Sequence, residues 1–188
     1  MSKTIIGFVG EIASGKDVSK KYLEKKYGAS SHRYSTVLRD ILNRLYLPIN
    51  RNNMQDLSLD LRTRFGSDLL ARVIIEDIDR NRDELIVIDG VRRLEDVANL
   101  TKKFSGLYIV SIDADAKIRY NRVIARNENI GDKDKTFEQF LQEGQAEAER
   151  EIMTVMASSD FRVDNNGTLE ELYRQLDKIV AEIKAKQK

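Results

Sequence analysis

The chain has no cysteine, one proline and one histidine in 188 residues. Without cysteine there are no disulfides and no thiolate metal sites. His32 has no partners at ligand spacing and reads as structural. An excess of one charge sign is missing too. The 32 Lys and Arg residues balance 31 Asp and Glu to a formal +1, so no global field draws the chain to nucleic acid and any basic site must be local. No apolar run approaches the roughly 20 residues of a membrane span. Met1-Ser2-Lys3-Thr4 leads straight into a strand pattern rather than a signal peptide. We therefore expect a cytoplasmic protein with neither nucleic-acid nor membrane partners. Repeats and low-complexity tracts are also lacking.

What is present is 41% hydrophobic and 34% charged, enough for one sizeable core and too little for two ordinary domains. Apolar runs at Thr4–Val9, His32–Ser35, Glu84–Asp89, Leu107–Asp113 and Phe161–Val163 alternate with helical patterns. That alternation predicts an α/β fold built on a five-stranded parallel sheet. The first, third and fourth runs are almost wholly apolar, as central strands covered on both faces should be. The stretch 36–83 is about twice what one crossover requires and reads as a helical insertion. Within it Val37, Leu38, Ile41, Leu42 and Leu45 form one apolar face ahead of Pro48, and Leu57, Leu61 and Phe65 begin a pattern continuing through Leu69, Leu70, Val73 and Ile74. The stretch 119–156 reads as a second insertion whose middle, 127–136, is a mobile flap. The core of a single domain is thus expected in 1–35, 84–118 and 157–188. Thr168 to Glu171 is a capping box opening a C-terminal helix.

The most specific signal is Gly10-Glu11-Ile12-Ala13-Ser14-Gly15-Lys16-Asp17, set between an apolar strand and a helix that stops at Gly28. Two glycines let the backbone curl into a nest of N–H groups at the positive end of the helix, and Lys16 reaches the β- and γ-phosphates of a nucleoside triphosphate. Gly10, Ala13, Ser14, Gly15, Lys16, Asp17 and Val18 are the expected ATP contacts. This is a P-loop in which Asp17 stands where Ser or Thr usually follows the lysine. Its carboxylate can ligate Mg2+ directly or hold one of its waters. Gly-Lys-Asp resembles the loop of bacteriophage-type deoxynucleoside monophosphate kinases and of animal phosphomevalonate kinase, whose acceptors already carry a phosphate.

Four further segments follow in order. Asp89 ends an apolar strand and is followed by Gly90, Val91, Arg92 and Arg93; it is the second candidate to hold Mg2+. The stretch resembles the Asp-Gly-x-x-Arg of adenylate kinase with one residue fewer, which implies Arg92, with Arg93 in reserve, on the acceptor phosphate. Tyr34-Ser35-Thr36-Val37-Leu38-Arg39 resembles the acceptor helix of the same kinases and implies Ser35 and Arg39 as acceptor contacts. A planar guanidinium suits phosphate because it offers two parallel donors. Arg119, Arg122 and Arg126 share one helical face and repel one another unless an anion lies between them. Arg122 and Arg126 resemble the lid arginines of dephospho-coenzyme A kinases and nucleotide kinases, which neutralise the transferring phosphoryl group. Asp164-Asn165-Asn166-Gly167-Thr168 resembles the segment beside the donor adenine in dephospho-coenzyme A kinases, implying Asn166 and Gly167 there, although a turn and helix cap account for the residues equally well.

The chain as a whole resembles P-loop nucleoside and deoxynucleoside monophosphate kinases. The resemblance implies ATP as donor, Mg2+ as cofactor, a small phosphorylated acceptor, Lys16, Arg92, Arg122 and Arg126 as catalytic residues, and a monomer or weak dimer. Dephospho-coenzyme A kinase and other small-molecule kinases stay open as an alternative, and so does an ATPase switch or assembly factor on the same fold. Against a hydroxyl acceptor, Tyr34-Ser35-Thr36 offers no acid to serve as base. Gln55 and Arg62 are plausible base contacts within the first insertion.

Overall fold

A computed structural model describes residues 3–126, 133–144 and 147–187. The element order is β1 (Thr4–Val9), α1 (Lys16–Tyr27), β2 (Ser30–Arg33), α2 (Tyr34–Arg44), α3 (Arg51–Phe65), α4 (Leu69–Arg80), β3 (Leu85–Asp89), α5 (Leu94–Lys103), β4 (Leu107–Asp113), α6 (Ala116–Arg126), α7 (Phe137–Glu143), α8 (Glu147–Ala157), β5 (Phe161–Asp164) and α9 (Leu169–Lys186). The five strands are all parallel in the order β2-β3-β1-β4-β5.

Alternation along the strands divides the core. Ile5, Val9, Ile86, Ile88 and Ile109 pack on one face with Leu38, Leu70, Ile74, Ile78 and Leu100. Ile6, Phe8, Val87, Val110 and Ile112 pack on the other with Leu23, Leu172, Leu176 and Ile183. Successive side chains of a strand point to opposite faces, so a central strand buried on both sides must be apolar at every position. Two local signals set helix ends as the sequence predicts. Gly28, at φ 67, closes α1 with its N–H on the carbonyls of Leu23 and Glu24. Thr168 and Glu171 complete a reciprocal capping box at the start of α9.

Three expectations need correction. The second strand is Ser30–Arg33 rather than 32–35, so Ser35 lies in the first turn of α2. As an edge strand paired only with β3, and with all four residues half-buried, it has no apolar run to mark its limits. The pattern from Leu57 to Ile74 is two helices, because Gly66 at φ 107 separates α3 from α4 and leaves Phe65 exposed. Helix α2 ends at Arg44, short of Pro48, and Leu45 is exposed rather than part of its apolar face. The expected flap at 127–136 falls largely on 127–132, outside the described residues. No helix among the described residues is long and apolar enough to cross a membrane.

The strand order positions the site. β1 lies between β3 and β4, and the chain winds outward in both directions from it, so the carboxyl ends of these strands open onto a crevice where α/β folds bind ligands. Gly10, Gly90 and Asn165 all directly follow strands at this edge.

Candidate functional site

The loop between β1 and α1 holds three residues of positive φ, Gly10 at 159, Ala13 at 59 and Gly15 at 119, and turns on the last two. Gly15 is the N-cap of α1 and supplies no side-chain cap, which leaves first-turn N–H groups of α1 for an anion. Ser14 is buried, and its Oγ has no hydrogen-bond partner. Lys16 Nζ donates to the carbonyls of Gly10 at 2.7 Å and Glu11 at 2.8 Å, so the ammonium lies over the loop itself.

All three α6 arginines reach this loop. Arg119, 7% exposed, pairs with Glu11 at 2.8 Å and donates from Nε to the Ala114 carbonyl at 2.9 Å. Arg122 donates from Nη2 to the Asn165 carbonyl at 2.9 Å and lies 3.4 Å from the Ala13 carbonyl oxygen; burial pulls its pKa below the usual arginine value. Arg126 pairs with Asp17 at 3.7 Å. The mutual repulsion expected from their spacing is offset by Glu11, Asp17 and loop carbonyls. Arg122 and Arg126 are therefore held against the loop.

Asn165, which the sequence reading passed over for Asn166, is the buried member of its segment. It is 4% exposed, and its Nδ2 donates to the Ser14 carbonyl at 2.6 Å. A Cβ on Gly15 would run into that same amide. Asn165 thus ties the loop after β5 to the P-loop and, through its own carbonyl, to Arg122. Asn166 is exposed and accepts from the Asp115 N–H at 2.7 Å, and Gly167 is exposed in the turn. Val18, at 38% exposure, faces outward from the first turn of α1.

Asp89 is 2% exposed at the tip of β3 and pairs with Arg33 at 3.1 Å, a partner that sequence reasoning missed. Their register makes the pairing: Arg33 stands opposite Asp89 in the β2–β3 ladder. Among the described residues no group of three His, Cys, Asp or Glu side chains is placed to hold a metal ion by itself. Mg2+ is commonly held by one or two carboxylates plus phosphate oxygens and waters, so Asp17 and Asp89 fit it only in company with a nucleotide.

On the side where the sequence places the acceptor contacts as an expectation, α2 begins against the turn after β3, with Tyr34 Cβ 3.9 Å from where a Cβ on Gly90 would lie. Arg39 is half-buried, and its Nε is buried without a hydrogen-bond partner, as is Ser35 Oγ. Arg92 is exposed just beyond Gly90. Arg93 is not free to replace it, being paired with Glu151 at 3.0 Å and Glu95 at 3.6 Å. Asp96, in the first turn of α5, is 1% exposed, and burial pushes its carboxyl up to about 6 against the pull of Arg62 and Arg93.

That last shift has a stability consequence. Below about pH 4 the carboxyl is neutral in both folded and unfolded chains. As pH rises from about 4 to about 6 the unfolded chain ionises first, and stability falls by about 3 kcal/mol. Asp96→Asn is expected to raise the melting temperature by several degrees at pH 7 and to leave it unchanged at pH 4, as thermal melts at the two values will show.

Fold and loop together give the chain a P-loop kinase-like fold. A shikimate kinase structure from Bacteroides thetaiotaomicron superposes with a TM-score of 0.63 at 10% identity, covering 96% of this chain and 98% of that one. One from Aquifex aeolicus gives 0.56 at 14% identity over 98% of both chains. In sequence, a UPF0200 protein of Staphylothermus marinus is 32% identical over 93% of this chain and 89% of its own, and one of Thermococcus onnurineus is 28% identical over 96% and 98%. The chain belongs to the UPF0200 family. No family model matches it.

Proposed function

We propose that the protein is an ATP-dependent phosphotransferase that moves the γ-phosphoryl group to a nucleoside or deoxynucleoside monophosphate, giving the diphosphate and ADP. The observation that carries this reading is Arg39, a half-buried guanidinium whose Nε is out of water without a partner. An unsatisfied charged donor is costly to bury, and a phosphate oxygen is the acceptor its geometry suits. Ser35 Oγ, buried and equally unpartnered one turn earlier, offers the same phosphate a further hydrogen bond. Arg92 grips it from the turn after β3.

In this reading the N–H groups of the loop and Lys16 hold the β- and γ-phosphates, and Arg122 and Arg126 stabilise the charge that spreads over the transferred group. Asn166 and Gly167 lie beside the adenine. Mg2+, when bound with the nucleotide, neutralises phosphate charge, with Asp17 and Asp89 as its carboxylate ligands or water anchors. The acceptor phosphate is already anionic and needs no general base. Arg39 and Arg92 contribute by alignment for in-line attack.

The likeness to shikimate kinases favours a second reading, transfer to a hydroxyl of a small molecule. Dephospho-coenzyme A would be an acceptor of this kind, though Tyr34-Ser35-Thr36 offers it no carboxylate base. An ATPase switch, the third possibility, has no use for Arg39. The test is ADP release with ATP and Mg2+ against ribo- and deoxynucleoside monophosphates, shikimate, dephospho-coenzyme A and phosphomevalonate, with an acceptor-free control. Arg39→Ala is expected to raise the KM for the acceptor about 10- to 100-fold and leave the KM for ATP nearly unchanged. ADP release that no acceptor stimulates would overturn the kinase reading.

A further inference from the structure

Six side-chain atoms among the described residues are buried without a hydrogen-bond partner, and four of them, Tyr34 Oη, Ser35 Oγ, Arg39 Nε and Asp96 Oδ1, come from α2 and α5. Native proteins leave few such atoms, and each calls for an explanation. Ser35 and Arg39 are explained by an acceptor phosphate. Tyr34 and Asp96 are not, and they are the more deeply buried pair, at 6% and 1% exposure.

Arg62 of α3 is the cation nearest this pair. Its Nη1 is 4.0 Å from Asp96 Oδ1, too far for a hydrogen bond, and is already committed to the Ser67 carbonyl at 2.5 Å. Asp96 is therefore a buried carboxylate with a cation beside it and an oxygen left over. Such an arrangement is poor for stability. Residues that weaken a fold and persist in it commonly serve a ligand.

We propose that Asp96, Tyr34 and Arg62 recognise the base of the acceptor, and that Asp96 selects bases bearing an exocyclic amino group, as in adenine, cytosine and guanine, over uracil and thymine. The inference rests on the monophosphate reading above and supplies the specificity it lacks. An ionised carboxylate only accepts hydrogen bonds. An amino group gives it a donor, whereas the carbonyl oxygens of uracil and thymine would set acceptor against acceptor. Arg62 and the Tyr34 hydroxyl can donate to the ring nitrogen or carbonyl beside the amine.

Access is through α3. None of its described side chains is fully buried, and it ends at Gly66, whose φ of 107 marks a backbone turn rather than a packed continuation. Met54, Leu57 and Leu61 pack against the core only half-buried, and an element without a fully buried side chain opens locally at lower cost than a core helix. A groove of about 190 Å³ lined by Arg93, Leu94, Glu95, Glu151 and Thr154 already lies alongside the start of α5.

The test is calorimetric binding of AMP, CMP, GMP, UMP and dTMP to the full chain and to Asp96→Asn, with thermal melts of both. At least one amino-bearing nucleotide is expected to bind about 10- to 100-fold more tightly than UMP and dTMP. An amide can turn either its oxygen or its NH2 toward the base, so Asp96→Asn should reduce that gap to within about threefold. The variant should melt no lower than the parent. If Asn is not tolerated, Asp96→Ser serves in its place. An absent gap, a gap that survives either substitution, binding of no monophosphate at all, or melting of both the Asn and the Ser variant well below the parent would overturn the inference. The kinase reading fails separately. Binding that is tight and dependent on Asp96 with no turnover would sustain the recognition site while removing the phosphotransfer.

Discussion

Lys16→Ala is expected to lower ADP release about 10²- to 10³-fold while shifting the melting temperature by no more than about 2 °C. The fold contributes little to holding this side chain. Its ammonium rests on the Gly10 and Glu11 carbonyls of its own loop, and the residue is only half-buried, outside either core cluster. In the proposed reaction it offers a positive charge at the loop, where phosphoryl transfer would concentrate negative charge. Arg122, held by the Asn165 carbonyl, supplies a second charge to the same place, so loss of Lys16 should leave residual turnover. A coupled ADP assay beside a thermal melt separates the two effects. A variant that retained full turnover would remove the loop from the chemistry.

Gly15→Ala is expected to be strongly destabilising. A φ of 119 is strained for any L side chain, and the new Cβ would collide with the Asn165 amide. That amide cannot yield cheaply, because it is buried and donates to the Ser14 carbonyl at 2.6 Å. Backbone strain and the lost hydrogen bond together come to about 2–4 kcal/mol, or roughly 5–15 °C in melting temperature. Gly28→Ala is the control, since Gly28 also has positive φ, at 67, but a Cβ there meets nothing within 4 Å. It should cost only about 1 kcal/mol. Adding Asn165→Ala to Gly15→Ala should recover part of the loss, because the collision then disappears. Melts of the parent, Gly15→Ala, Asn165→Ala and the double variant check this as a double-mutant cycle.

The parts of this protein that were legible from residues alone are those whose physics is local. A P-loop is a contiguous run of residues joining a strand to a helix. Central strands announce themselves by burying both faces, and caps such as Gly28 and the Thr168–Glu171 pair act within one turn. Where local cues were thin the reading slipped. The edge strand β2 has no apolar run, and the break at Gly66 interrupts an apolar period that otherwise continues. The α6 arginines were placed on one face by their spacing, but nothing in that spacing names Glu11 or Asp17 as their partners.

By itself, then, the sequence determined the central strands of the sheet, the loop and most helix faces, because backbone geometry and burial of apolar area repeat with short periods that neighbouring residues reveal. Only the tertiary structure decided which charges are paired and which are left over. Arg33 meets Asp89 through strand register, and Asn165 reaches Ser14 across 151 positions. Asp96, one more acid in a charged helical turn when read in line, is buried with an oxygen unpartnered. Partnership and desolvation are properties of the space around a group, and that space is assembled from segments that no local pattern connects.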